Sequence, residues 1–227
     1  MTVATKNGSK VVKGETEIVI GAQIVIPAPN FRIAQFKVIG TTPLVVHKFS
    51  QKAKNAIMAT QQEGRKAASK KNREPKDFEE VYKGAFHVSS DGWYGFPAGG
   101  IRSAMIAACR ATELKMTQGK IAVFVLQDGL DGDEGTPLVK IHGTPRKHTA
   151  PARNDNGSID IRCRPMWEQW HMVLRVEYDA DMLSLESVAN LLSRAGRQVG
   201  IGEGRPFSKQ STGCGWGTFT IESREAK

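Results

Sequence analysis

Large apolar residues occupy every second position from Trp170 to Tyr178, and no other pattern in the chain constrains the fold as strongly. Successive side chains of a β-strand point to opposite faces, so this alternation predicts a strand with one buried face. Met172, Leu174 and Val176 share that face with the two end residues. Because such a strand needs neighbouring strands and a covering layer, the chain is expected to contain a sheet packed on a core.

Hydrophobic periodicity predicts further strands and three helices around this segment. The predicted strands cover residues 17–26, 31–39, 120–126, 138–142, 159–164 and 216–222. The first predicted helix covers 51–62 with Ser50 as its cap, and the second begins near Gly99. The third covers 184–198 with Ser184 as its cap. The first helix is expected to bury one apolar face, made by Ala53, Ala56, Ile57 and Thr60.

The order of these elements predicts the fold class. The order fits two β-α-β halves that share one antiparallel sheet. It therefore predicts an α+β fold of the ferredoxin-like or RRM-like kind, with helices on one face of the sheet. The acidic stretch 128–135 is predicted to be a turn, and the basic stretch 145–157 to connect two strands. Residues 1–16 are expected to form a loose arm, and residues 17–227 a single domain with insertions and a C-terminal glycine-rich loop.

The charge balance favours a polyanionic partner. The 227 residues include 32 Lys and Arg and 23 Asp and Glu, which gives a formal net charge of +9. This positive charge favours a polyanionic partner, with nucleic acid as the first candidate. The alternative is a basic protein whose charge has no binding role. The three cysteines, Cys109, Cys163 and Cys214, cannot form a paired disulfide framework. No apolar stretch suits a signal peptide or a membrane span, so a cytoplasmic protein without a membrane partner is expected.

Residues 63–76 form a strongly basic segment without an apolar stripe. Such a segment cannot pack into a core and is predicted to be a loop inserted in the domain. Lys70, Lys71 and Arg73 are its candidate nucleic-acid contacts. The alternative is a solvated surface run.

Residues 200–217 contain six glycines, and a predicted helix precedes them while a predicted strand follows. A dinucleotide-binding motif has the opposite order, and no P-loop sequence occurs, so no nucleotide cofactor is expected. A glycine-rich backbone can approach a partner closely, and cations and aromatic rings flank it here. The candidate contacts with nucleic acid are Gly200, Gly202, Gly204, Arg205, Lys209, Gly213, Gly215 and Trp216, with Phe207 as a further stacking surface. The alternative is a passive connection.

The helix, glycine-rich segment and terminal strand resemble the C-terminal part of the RAMP superfamily, the RRM-like RNA-binding proteins of CRISPR systems. Residues 96–105 also resemble a family motif, with Arg102 at its basic position and with Ala98 and Ser103 in place of the usual glycines. Thr42 to Leu44 resembles the end of the family's opening strand. The layout is similar as well to a bacteriophage-encoded branch outside CRISPR loci, which implies the host cytoplasm. The resemblance implies guide-RNA or single-strand binding, with Arg102 among the contacts.

Motifs for catalysis are sparse. The histidines form no zinc motif, the acidic stretch 128–135 lacks the EF-hand order, and no nucleophile elbow occurs, so no metal is expected. Some RAMP members cleave RNA with a histidine, and His47 is the candidate for that role. We therefore expect a non-catalytic protein that binds single-stranded RNA or DNA and assembles as a homo-oligomer or filament along the strand. The alternatives are a metal-independent endoribonuclease that uses His47 and a phage protein-interaction or inhibitor protein.

Overall fold

The structure is a computed structural model that describes residues 26–62, 75–153, 157–207 and 214–222. The predicted arm 1–16 and all but the last residue of the predicted strand 17–26 lie outside these ranges. So do five candidate contacts, namely Lys70, Lys71, Arg73, Lys209 and Gly213. No helix in the described ranges is both long and apolar enough to cross a bilayer.

The described ranges contain α-helices and antiparallel strands. The strands are β1 (Phe31–Gly40), β2 (Leu44–Val45), β3 (His87–Val88), β4 (Tyr94–Pro97), β5 (Val123–Leu126), β6 (Gly129–Leu130), β7 (Pro137–Lys140), β8 (Pro145–Arg153), β9 (Ile159–Trp167), β10 (His171–Asp179) and β11 (Phe219–Ile221). The helices are α1 (Gln51–Gln62), α2 (Phe78–Lys83), α3 (Ala98–Ala108), α4 (Met116–Ala122) and α5 (Leu185–Arg194). The chain is therefore of mixed α and β structure, as the sequence predicts.

The central sheet has the strand order β11-β1-β10-β5, and every neighbouring pair is antiparallel. Its core face follows the predicted alternation, because Val38 of β1 lies opposite Met172 of β10 and both are buried. Ile101 of α3 and Val188 of α5 belong to the same core cluster. Each large apolar side chain buried in this way contributes roughly 1.5–3 kcal/mol to folding. The other face of the sheet carries exposed side chains such as Ile33.

Helix α5 confirms the predicted cap and extends into an irregular turn. The Ser184 hydroxyl accepts a hydrogen bond from the Ser187 amide, which satisfies one free N–H group of the first turn. After Arg194 the chain forms a π-helical turn over Ala195–Val199. A Cβ atom at Gly196 would lie 2.3 Å from the carbonyl oxygen of Phe219, so this turn packs directly on the backbone of β11.

A long hairpin forms the second sheet, with the order β2-β9-β8. Its nine residue pairs run from Pro145 opposite Trp167 to Arg153 opposite Ile159. The prediction that 145–157 only connects two strands is therefore wrong, since 145–153 is itself a strand. Prolines and cations interrupt its hydrophobic pattern, and an edge strand tolerates proline because one side of its backbone needs no partner.

The third sheet has the order β3-β4-β7-β6. In sequence, β3 and β4 lie between β1 and β5, whereas β6 and β7 lie between β5 and β10. The predicted strand 120–126 is correct only from Val123, because residues 116–122 form α4. The Gln118 side chain accepts a hydrogen bond from the Lys115 amide, which caps this short helix. An apolar run of this length does not distinguish a strand from a buried helix end by periodicity.

Helix α1 occupies the predicted residues but does not bury the predicted face. Ile57 is 47% exposed and the neighbouring Met58 is 53% exposed. The weak apolar stripe of this segment therefore predicted the helix correctly and its packing wrongly.

Two glycines of the C-terminal segment offer a matched test of close backbone packing. Gly217 has φ +68° and a Cβ atom there would lie 1.8 Å from the carbonyl oxygen of Ile201, whereas Gly215 has φ +70° and open space around it. Gly215→Ala is expected to cost about 1 kcal/mol from the left-handed backbone alone. Gly217→Ala should cost a further ~1–3 kcal/mol, because atoms must move. Urea unfolding of both variants measures the difference, and equal losses would contradict the packing explanation.

Candidate functional site

A cleft of about 1430 Å³ opens where distant parts of the chain meet. Its walls are the end of β2 with His47, one face of α3, the hairpin of β8 and β9, and the glycine-rich segment on both sides of residues 208–213. Long-range strand pairing brings these parts together, since β2 pairs with β9 and β11 pairs with β1.

Backbone hydrogen bonds hold the glycine-rich segment in the cleft wall. The amide of Glu203 donates to the Val45 carbonyl at 2.9 Å, the amide of Gly217 donates to the Pro43 carbonyl at 2.8 Å, and the amide of Ile201 donates to the Gly217 carbonyl at 2.9 Å. These three amides are bonded within the protein, so they are not free to donate to a phosphate in this conformation.

The predicted glycines allow these close contacts. A Cβ atom at Gly202 would lie 2.5 Å from the Val45 carbonyl oxygen, and one at Gly204 would lie 2.6 Å from the Trp216 ring. Gly200, Gly202 and Gly204 line the cleft, and all have positive φ. Gly215 also has positive φ but does not line the cleft.

Arg205 and Trp216 line the cleft as the sequence suggests. The Arg205 guanidinium donates to the Gly202 carbonyl at 3.0 Å, so part of its hydrogen-bonding capacity stabilises the segment itself. The Trp216 ring stands edge-on to His148, with ring centroids 5.3 Å apart. Both side chains are half-buried and keep part of their surface open to a ligand.

Arg102 does not line the cleft. Its guanidinium donates to the carbonyls of Lys120 and Val123 and lies 4.7 Å from the centroid of the Phe124 ring. Its position on α3 turns it toward β5, whereas Ser103 faces the cleft. Arg102, the basic position of the resemblance, therefore lies on a different face of α3 from the one that lines the cleft.

Arg110 is the basic side chain that this end of α3 brings to the cleft. It lies 5.3 Å from the centroid of the Phe207 ring, which is 45% exposed. The sequence analysis missed Arg110, which lies in the short 3₁₀ turn Cys109–Ala111 directly after α3.

Strand β9 contributes two further arginines that the sequence analysis missed. Arg162 and Arg164 are two residues apart, so they share one face of the strand. Both pair with Glu203 of the glycine-rich segment, at 3.1 Å from Arg162 to Oε1 and 3.0 Å from Arg164 to Oε2. Burial raises the pKa of Glu203, but the Arg164 and Arg162 cations outweigh it, and the pKa lies below its ordinary value.

Three described histidines line the cleft, namely His47, His87 and His148. Burial lowers the pKa of His47, and the nearby Arg164 cation lowers it further. His87 is buried, and its Nδ1 lies 3.1 Å from the carboxylate of Asp131. Burial lowers the pKa of His87 more than Asp131 raises it. The sequence offered no partner for His47, whereas the structure brings a second, carboxylate-oriented histidine into the same cleft.

Asp131 does more than shape the predicted turn. Its carboxylate accepts from the amides of Asp133 and Glu134 and pairs with the Lys48 ammonium at 2.8 Å. Burial raises the pKa of Asp131, but the Lys48 hydrogen bond and the turn amides outweigh it and lower the pKa. Breaking such a buried pair by removing one partner costs about 3–5 kcal/mol.

In comparisons with known proteins, no family model and no curated protein matches this chain. Within the described ranges, no three His, Cys, Asp or Glu side chains cluster as ligands for a metal ion. The geometry and charge of the cleft are therefore the basis for a functional assignment.

The lowered histidine pKa values predict a pH-dependent stability. His47, His87 and His142 all have a pKa below the ordinary 6.5, so the unfolded chain binds more protons than the folded chain as the pH falls below that value. The free energy of unfolding should therefore decrease between about pH 7 and pH 5. His87→Gln should make this decrease smaller, whatever its effect on stability at neutral pH. Urea unfolding at several pH values measures it, and identical slopes would contradict the burial of a neutral His87.

Proposed function

We propose that this cleft binds single-stranded nucleic acid, RNA or DNA, without cleaving it. One observation carries the proposal: the described lining residues include four arginines and a single carboxylate, that of Glu203. The arginines are Arg110, Arg162, Arg164 and Arg205. Guanidinium groups bind phosphate oxygens in a bidentate manner, and clustered cations are the main source of affinity for a phosphate backbone.

The size and the aromatic content of the cleft favour a single strand. Its volume of about 1430 Å³ exceeds the roughly 300–1,000 Å³ of typical small-molecule pockets, which suits a polymer that enters and leaves. Phe207 and Trp216 offer ring surfaces beside the arginines. Unpaired bases stack on such rings, whereas the bases of a duplex are already stacked on each other.

The strand order of the central sheet supports a ferredoxin-like, RAMP-type core. Numbered along the chain, its four strands have the order 4-1-3-2, with α3 between the first and second and α5 between the third and fourth. This order is consistent with the β-α-β-β-α-β arrangement expected of a ferredoxin-like fold, and it supports that part of the proposal. The other two sheets are then insertions, and the hairpin of β8 and β9 supplies half of the arginines in the cleft.

The assembly of several copies of the protein along one nucleic-acid strand belongs to the same proposal. Within the described ranges, β11 pairs only with residues 38–40 of β1, so the first part of β1 has an open edge on that side. An open strand edge can pair with a second copy of the chain. Neighbouring copies would then present consecutive clefts to one strand.

A salt titration tests the binding proposal. The probes are labelled single strands of RNA and DNA of about 20 nucleotides, which are longer than the roughly 4–16 nucleotides that one single-strand-binding fold covers. An unlabelled duplex of equal length is the competitor. In a plot of the logarithm of the association constant against the logarithm of the salt concentration, the slope should be negative, with a magnitude of roughly 0.7 for each phosphate contact. Arg110→Ala should reduce this slope by about 1 at most.

The matched control is Arg194→Ala, which removes the same charge from an exposed position at the end of α5, outside the cleft. It should leave the slope nearly unchanged. Salt-independent binding, or equal effects of the two variants, would contradict the proposal and would favour the protein-interaction alternative.

An endoribonuclease is the second candidate, because His47 shares the cleft with His87 and Asp131 orients His87. Metal-independent cleavage of RNA needs one group that removes the 2′-hydroxyl proton and one that protonates the leaving oxygen. Two histidines beside arginines could supply both, with the arginines stabilising the added negative charge.

Incubation of labelled RNA with excess protein and EDTA separates the two candidates. Our proposal expects the RNA to stay intact, since the lowered pKa values of His47 and His87 leave both rings neutral at pH 7 and neither is a ready acid. The endoribonuclease would be established instead if the native chain cleaves the RNA and if His47→Ala and His87→Ala each abolish this cleavage while they retain binding. A DNA strand of the same sequence is the control, because it lacks the 2′-hydroxyl.

A further inference from the structure

We propose that Arg162 and Arg164 form a phosphodiester-binding site that the Glu203 carboxylate occupies in the free protein, so that a bound strand must displace Glu203. This inference rests on the proposed function and adds the regulation of the same cleft. It identifies Glu203 as an intramolecular competitor of the nucleic acid.

The ion pair has the geometry of an occupied anion site. Each oxygen of the Glu203 carboxylate accepts from a different arginine, at 3.1 and 3.0 Å. A phosphodiester also presents two charged oxygens, and the same guanidinium chemistry recognises both groups. The Arg164 side chain is only 11% exposed, so its direction is fixed by the surrounding structure. The carboxylate therefore marks where a phosphate would lie.

Glu203 can leave this site while its backbone stays in place. Its amide donates to the Val45 carbonyl, and this bond does not involve the side chain. Gly202 and Gly204 on either side have positive φ and set the course of the backbone independently of the carboxylate. A rotation about the side-chain bonds of Glu203 is thus sufficient, and Glu203 lines the cleft with 26% of its side-chain surface exposed.

This competition has a consequence for ligand choice. A single phosphate offers little advantage over a carboxylate that is covalently present at the site. A strand brings several phosphates at once, and the remaining cations of the cleft, Arg110 and Arg205, hold the others. Glu203 therefore favours polymers over mononucleotides and free anions.

Glu203→Gln tests the inference, because it removes the charge and preserves the shape. Labelled single strands should bind this variant about tenfold more tightly than the native chain, a change of 1.4 kcal/mol. The matched control is Glu222→Gln, which removes the same charge from an exposed pair with Lys37 outside the cleft. Equal or weaker binding by Glu203→Gln relative to this control would overturn the inference, since Glu203 would then only position the arginines.

A second measurement separates this inference from the proposed function. Inorganic pyrophosphate should raise the melting temperature of Glu203→Gln more than that of Glu222→Gln, and Arg162→Ala in the Glu203→Gln background should remove the difference. If pyrophosphate behaves so while no strand binds either protein, the anion site stands and the single-strand function fails. If pyrophosphate stabilises all variants equally, the anion site is refuted even where strands bind.

Discussion

The cleft exists because the glycine-rich segment approaches the backbone of its neighbours more closely than any side chain would allow. Gly217 donates to the Pro43 carbonyl, and Glu203 donates to the Val45 carbonyl, so the C-terminal segment is joined to the chain around β2. Because β2 also pairs with β9, the same contact joins the segment to the arginine-bearing hairpin. Loss of this approach would separate the two walls of the cleft as well as lower stability.

Charged side chains form two groups in this part of the molecule. One group is the buried pair of Lys48 and Asp131, which does not line the cleft but fixes the direction of His87. The other group lies in the cleft lining, where Glu203 pairs with Arg162 and Arg164. The first pair is costly to disturb because both partners are out of water, whereas Arg162 and Glu203 are partly exposed, and a more exposed ion pair contributes less to stability.

Local pattern determined those elements in which periodicity and capping agreed. The alternation from Trp170 to Tyr178 and the cap at Ser184 were sufficient for β10 and α5. Pattern failed at 120–122, where an apolar run suits either a strand or a helix end, and at 145–153, where pairing with β9 stabilises a strand that its own residues do not favour. At 145–153 the deciding contact is the pairing with the next strand, whereas α4 is capped locally by Gln118 on the Lys115 amide, which the apolar run alone does not reveal.

The sequence by itself determined that this chain is basic, that it builds a sheet with one covered face, and that residues 200–217 are rich in glycine, the residue with the least restricted backbone. Only the tertiary structure decided which of the described cations line the cleft. It turned Arg102 toward β5, brought Arg162 and Arg164 to the glycine-rich segment, and placed His87 beside His47. The physical reason is that charge and backbone freedom are properties of single residues, whereas a site depends on directions in space, and strand pairing between distant segments sets those directions.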